Sequence, residues 1–298
     1  MNKLHRTAAL IAVQAVAGLL VVEAQSGQAW AEPFQRHPVV AALPEIARFD
    51  SGMTVIILRG KLTARRARRM TRLARAVYRD VNQRFVGPRF VQMDGVRRDR
   101  RKPIPVDFCL FDSNRSYHAF VTAVFGAGDH SPMGFYSPAK RVAVANLARS
   151  VGNLRHELVH PLVGDDFAKI PAWLNEGLGS LYGTARQTQR QGRRFRFVVN
   201  YRLRHFRAAD RRGQLPALGD LASSSHRQVR GDTAATYYAM SRYVLLYLDR
   251  RGQLDEFYRA MRARAPTPAR QLALLQRYID YDEFLAWARK LRYKQSGI

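Results

Sequence analysis

The chain has almost no cysteine. Of its 298 residues only Cys109 is one, so no internal disulfide can form and a cysteine-ligated zinc finger or ribbon is excluded. Acidic residues are scarce as well, 23 Asp and Glu against 50 Lys and Arg, a formal net charge of +27. After the N-terminal stretch no segment is apolar enough to cross a membrane. No internal repeat or low-complexity tract is visible, and nothing in the composition suggests global disorder or a collagen-like repeat. Without disulfides, stability must come from packing and from any bound metal. The 47% apolar content supplies a sizeable core, and the length suits one large domain or a catalytic domain carrying a helical subdomain.

What is present begins with an export-like start. Lys3, His5 and Arg6 precede an apolar run from Ala8 to Val22, broken only by Gln14. Ala29-Trp30-Ala31 then has the small-x-small form of a signal-peptidase site, with Ala24 an earlier alternative. Residues 1–31 are therefore expected to be a cleaved signal peptide, and the protein to be periplasmic, envelope-associated or secreted. An uncleaved anchor is the competing reading, although the run is short for a bilayer span. No lipoprotein signal is visible. Cys109 lies within the apolar stretch Val106 to Phe111 and reads as a buried structural thiol.

The positive field would draw polyanions: nucleic acid, anionic lipid, acidic polymers or acidic proteins. Most of it is arginine, which a GC-rich genome would also give without selection for binding. Both readings stay open. No nucleic-acid reading motif is recognisable, and aromatics are not interleaved with the arginine runs as stacking platforms would be.

Hydrophobic periodicity predicts an α+β fold with a mainly helical C-terminal part. Strands are expected at Met53 to Leu58 and Val106 to Phe111. A helix is expected over Thr63 to Phe85, with Met70, Leu73, Val77, Val81 and Phe85 on one face. Arg65, Arg66, Arg68, Arg69, Arg72, Arg75 and Arg79 fall on its other face, and Gly87-Pro88 ends it. Arg97 to Lys102 reads as a basic loop. Ser113 to Phe125 is a helix capped by Asp112 or Ser113. Gly134-Phe135-Tyr136 and Val142-Ala143-Val144 form a hairpin. Helices follow at Ser150 to Val163 and from Pro171 to about Leu181, with a turn at Gly164-Asp165-Asp166 between them. Residues 185–230 are polar, basic and unassigned. Four helices close the chain, at Thr233 to Arg250, Leu254 to Arg262, Pro268 to Tyr278 and Tyr281 to Leu291. The expected organisation is a signal peptide (1–31), an α+β subdomain (32–184) and a helical subdomain (185–298).

The chemical signal is His156-Glu157-Leu158-Val159-His160. Residues four apart share a helix face, so both imidazoles can bind one ion. Glu157 stands one position round and can take a proton from a water on that ion without being a ligand. A third ligand is expected from Pro171-Ala172-Trp173-Leu174-Asn175-Glu176-Gly177. Its Glu176 follows His160 by 16 residues, and the intervening turn would carry it back toward the histidines. Two histidines and a carboxylate with an open position make a catalytic zinc site, not a closed structural one. The bland alternative is a surface helix that happens to hold two histidines.

The stretch Gly134 to Gly183 resembles the gluzincin branch of the zincin metallopeptidases, the peptidase MA-like group. Within that branch it is similar to exported bacterial proteins that share a Gly-aromatic-Tyr strand, the HExxH helix and Pro-x-Trp-x-x-Glu-Gly. The resemblance extends more weakly from about Met53 to the C-terminus. It implies a zincin-like fold and zinc-dependent hydrolysis of a peptide or protein substrate. It also implies an edge strand beside the metal helix that pairs with extended substrate, matched here to Val142-Ala143-Val144. Gluzincins add a Tyr or His that stabilises the oxyanion. Tyr238 is the first candidate and Tyr237 the second, with His226 and Tyr136 further off and core packing the competing role for the tyrosines. Many gluzincins also carry an acid four residues after the ligand Glu, to orient a zinc-bound His. Ser180 stands there, with Asp165 or Asp166 as substitutes. The alternative to an enzyme is a catalytically weak or inactive scaffold that presents its basic surface to anionic envelope polymer, lipid or nucleic acid.

Overall fold

The computed structural model describes residues 36–50, 54–86, 104–188, 195–230 and 233–293. The expected signal peptide, the Gly87-Pro88 stop and the basic loop at 97–102 lie outside them. No helix among the described residues is long and apolar enough to cross a membrane.

A short helix, α1 (Pro38–Ala41), leads into β1 (Glu45–Asp50) and β2 (Thr54–Arg59). Every residue of β2 is buried, as its β-branched, almost wholly apolar sequence requires of a strand covered on both faces. Helix α2 (Ala64–Val81) starts at Thr63, whose side chain accepts from the Arg66 N–H, and ends in a single π-helical turn over Asn82–Val86. Met70, Val77, Val81 and Phe85 are buried and Leu73 partly so, as the periodicity predicts. Strand β3 (Ile104–Phe111) follows, then α3 (Asn114–Phe125), whose cap is Ser113, its Oγ accepting from the Ser116 N–H at 3.1 Å.

Strands β4 (Gly134–Ser137) and β5 (Val142–Asn146) form the expected antiparallel hairpin. The sheet order is β1-β2-β3-β5-β4, with β2, β3 and β5 parallel and the two outer strands antiparallel to their neighbours. The strand expected to form the sheet edge, Val142 to Val144, is therefore internal, flanked by β3 and β4. β4 is the edge. Alternation along the strands splits the core: Phe108, Leu110, Ala143 and Ala145 face one side, and Cys109, Phe111, Val142 and Val144 pack with α3 on the other. Cys109 is fully buried, as expected.

On the first side lies α4 (Gly152–Asp166), packed against α2, β4, β5 and α5 (Ala172–Gly183). The segment that sequence left unassigned forms a two-stranded ribbon, β6 (Arg186–Gln187) with β7 (Phe195–Arg196), then α6 (Leu203–Arg211), α7 (Leu218–Ala222) and α8 (His226–Arg230). The chain closes with α9 (Ala234–Arg250), α10 (Leu254–Arg264), α11 (Pro268–Tyr278) and α12 (Tyr281–Lys290), within a residue or two of the predicted spans. The architecture is α+β, and α9 lies directly against α5.

Candidate metal centre

Three turns of helix position the site. His156 and His160 lie one turn apart on α4, and their rings meet edge-on with centroids 4.9 Å apart. Helix α5 crosses α4 and brings Glu176 between them. Its Oε2 is 3.2 Å from Nε2 of His156 and 3.7 Å from Nε2 of His160. Among the described residues this is the one group of three or more His, Cys, Asp and Glu side chains able to hold a metal ion. The three side chains that sequence analysis singled out as ligands do converge.

The approach of α5 depends on Gly179, one turn after Glu176. A Cβ there would stand 3.0 Å from Cε1 of His156 and 3.1 Å from both Nε2 of His156 and Cε1 of His160. Only a residue without a side chain leaves both imidazoles in place.

Glu157 lies beside the cluster and toward the edge strand. Its Oε2 is 3.7 Å from Nε2 of His160. Its Cγ would be 3.3 Å from a Cβ on Gly134, the first residue of β4, where φ is +143° and the Val144 carbonyl leaves no room for a side chain. So β4, β5 and the Glu157 side chain meet at one point. The carboxylate is also felt at Tyr117, whose phenol is pushed up first by burial and then by the Glu157 charge.

Tyr238, on the first turns of α9, donates its hydroxyl to Oε2 of Glu176 at 2.7 Å. The first-choice tyrosine thus enters the site. Tyr237 points elsewhere, its hydroxyl 3.5 Å from Nε2 of Gln228. Tyr136 sits with Arg141 and Asp165, and its phenol is pushed up chiefly by burial. The His226 side chain lies outside the described residues.

The residue that orients a histidine is not one of those expected. Nδ1 of His160 bonds Oδ1 of Asn175 at 2.8 Å. An amide oxygen accepts, so the Nδ1–H donates to it and Nε2 faces Glu176. Ser180 and the two turn acids are engaged otherwise. Ser180 receives the Arg242 guanidinium on its carbonyl and hydroxyl oxygens. Asp165 is bound by Thr54 and Arg141, and Asp166 by Tyr258 and Arg262. Asn175 immediately precedes the ligand Glu176. Its adjacency to Glu176 is the sequence signal for it, whereas the position four residues downstream holds Ser180.

The charge balance of the cluster favours a cation. Burial works against protonation of His156, but the bond from Glu176 and the nearby Glu157 charge outweigh it and raise its affinity for a proton. The site opens on the His156 side, where 18% of that side chain is exposed against 5% for His160 and 3% for Glu176.

Residues 150–268 match the model of a family described as a protein of unknown function, DUF1570. The matched span runs from the start of α4 to the start of α11 and holds every residue of the cluster, Tyr238 included. No curated protein matches the chain.

Proposed function

We propose that the protein is an exported zinc metallopeptidase of gluzincin type. The observation that carries this reading is the convergence of His156, His160 and Glu176 on one point, with Glu157 and Tyr238 beside it. The donor set suits zinc. Tetrahedral zinc, with bonds of about 2.0–2.2 Å, sets its protein donors roughly 3.3–3.5 Å apart. Both imidazole nitrogens already lie 3.2 and 3.7 Å from the carboxylate oxygen. Two neutral imidazoles and one carboxylate also leave a position open, and no thiolate is present to close it.

Zinc held there would supply Lewis acidity, easing the ionisation of a water and polarising a scissile carbonyl. The remaining work falls to the protein. Glu157 takes the proton from the attacking water and passes it to the departing amine. Tyr238 holds Glu176 in place and turns its hydroxyl to the oxyanion as charge develops on it. β4 offers an outer edge whose alternate main-chain groups point away from β5 and pair with an extended peptide, holding the scissile bond near Glu157. Gly134 keeps that edge close enough to reach.

The test compares zinc content and casein hydrolysis in the wild type and in Glu157→Gln. The variant should retain zinc and lose hydrolysis by about two to four orders of magnitude. Equal activity in the two proteins would remove Glu157 from its assigned role.

A second reading has one observation in its favour. Arg65, Arg68, Arg69, Arg72, Arg75 and Arg79 are all exposed along α2, and none is ion-paired among the described residues. On that reading the chain is an anion-binding scaffold, and neither protein would hydrolyse casein while both bound heparin in a salt-dependent way.

A further inference from the structure

Arginine gathers on one flank of the metal centre without the carboxylates that neutralise it elsewhere in the molecule. Arg202 lies at the start of α6, with Cζ 4.6 Å from the centre of the Tyr238 ring. That ring carries the hydroxyl that holds Glu176. The Arg202 side chain is only partly buried, and among the described residues no carboxylate pairs with it.

Arg242 stands behind it, fully buried and bonded to the carbonyls of Ser180 and Val198, with no acid among its partners. Burial, with the like charge of Arg202 nearby, outweighs the Tyr243 phenol and brings the Arg242 guanidinium down to about 10.

Elsewhere the protein neutralises buried arginine with care. Arg59 meets Asp107, Arg84 meets Asp249 and Asp255, and Arg141 meets Asp165. Like charges packed together in a low-dielectric flank repel, and the group that relieves them is an anion. Arg242 gives both terminal nitrogens to main-chain carbonyls. Arg202 spends its side chain only on aromatic faces, which leaves the guanidinium edge with its donors for a ligand.

We propose that Arg202 is the substrate-anion residue of this site. It takes a carboxylate of the bound peptide, at the C-terminus or on an acidic side chain, in a subsite beside Tyr238. The proposal rests on the peptidase reading above. It gives that reading a substrate class: peptides bearing a negative charge near the cleaved bond, on the side toward α6 and α9. A guanidinium can meet a carboxylate with two parallel N–H donors, which an ammonium cannot do.

The test uses the zinc-loaded full chain and three peptide hydroxamates that differ in one group: leucyl-alanine ending in an amide, leucyl-alanine ending in a free carboxylate, and leucyl-glutamate ending in an amide. Dissociation constants are read by calorimetry, so turnover is not needed. One of the two acids should bind the wild type about tenfold or more tighter than the neutral compound. A preference for the free terminus points to an exopeptidase acting at C-termini, and a preference for the glutamyl compound to an acidic subsite of an endopeptidase. Arg202→Gln should erase the preference and leave zinc content and the neutral compound's Kd unchanged. Arg202→Lys should keep part of it. Equal binding of acids and amide by the wild type overturns the proposal and needs no variant. So does a preference that survives Arg202→Gln. If none of the three compounds binds the zinc-loaded protein, the peptidase reading falls, and Arg202 with it.

Discussion

At the C-terminal end of α4, Asp165 and Asp166 each meet an arginine from a distant element. Arg141 grips Asp165 with both terminal nitrogens, at 2.6 and 2.8 Å, and Thr54 adds a third bond. Asp166 takes Arg262 and the Tyr258 hydroxyl. Two turns earlier on the same helix, and on the helix crossing it, Glu157 and Glu176 lie among imidazoles and a phenol instead. All four are carboxylates, and all but Asp165 are buried. What differs is the counter-charge. Acids matched by a fixed guanidinium staple α4 to the sheet and to α10, whereas acids set among imidazoles and a phenol form a cluster that a metal ion can enter.

If that contrast is sound, substitutions at the two ends of α4 should fail in different ways. The largest expected effect is structural. Asp166→Ala leaves Arg262 and Tyr258 without their shared acceptor and should lower stability by about 3 kcal/mol, read by urea unfolding of the metal-free protein. The folded fraction should still bind metal normally. At the other end, Asn175→Ala should weaken metal affinity roughly 10- to 100-fold through loss of the His160 partner, measured by competition with a chelator. Its metal-free stability should move by no more than about 1 kcal/mol. Gly179→Ala pushes a methyl against both imidazoles and should weaken metal binding roughly tenfold, the equivalent of about 1.4 kcal/mol of rotamer displacement. If Asn175→Ala instead unfolded the protein and Asp166→Ala stripped its metal, the two ends would have exchanged roles and the comparison would fail.

The metal cluster could be read from the sequence because its geometry is local. A four-residue spacing puts two imidazoles on one face whatever surrounds the helix. The return of Glu176 needed only a turn and a second helix. The apolar faces of α2, α3 and the last four helices were legible for the same reason, since periodicity reports burial directly. The strand order was not. The resemblance matches Val142 to Val144 to an edge strand, but β3 pairs with it in parallel and pushes β4 outward, and no local pattern encodes that pairing. Asn175 and Arg202 escaped for a related reason. Each is an ordinary polar residue until packing carries it to the site. Residues 185–230 stayed unassigned because dense arginine hides the apolar positions, such as Leu203, Phe206 and Ala209, that define α6.

The most direct test of the account is metal analysis of the purified chain beside His156→Ala and Glu176→Ala. About one zinc per chain is expected in the wild type, and none should be retained by either variant after dialysis against a weak chelator. Equal metal content in all three proteins, or none in the wild type after exposure to zinc, would contradict it.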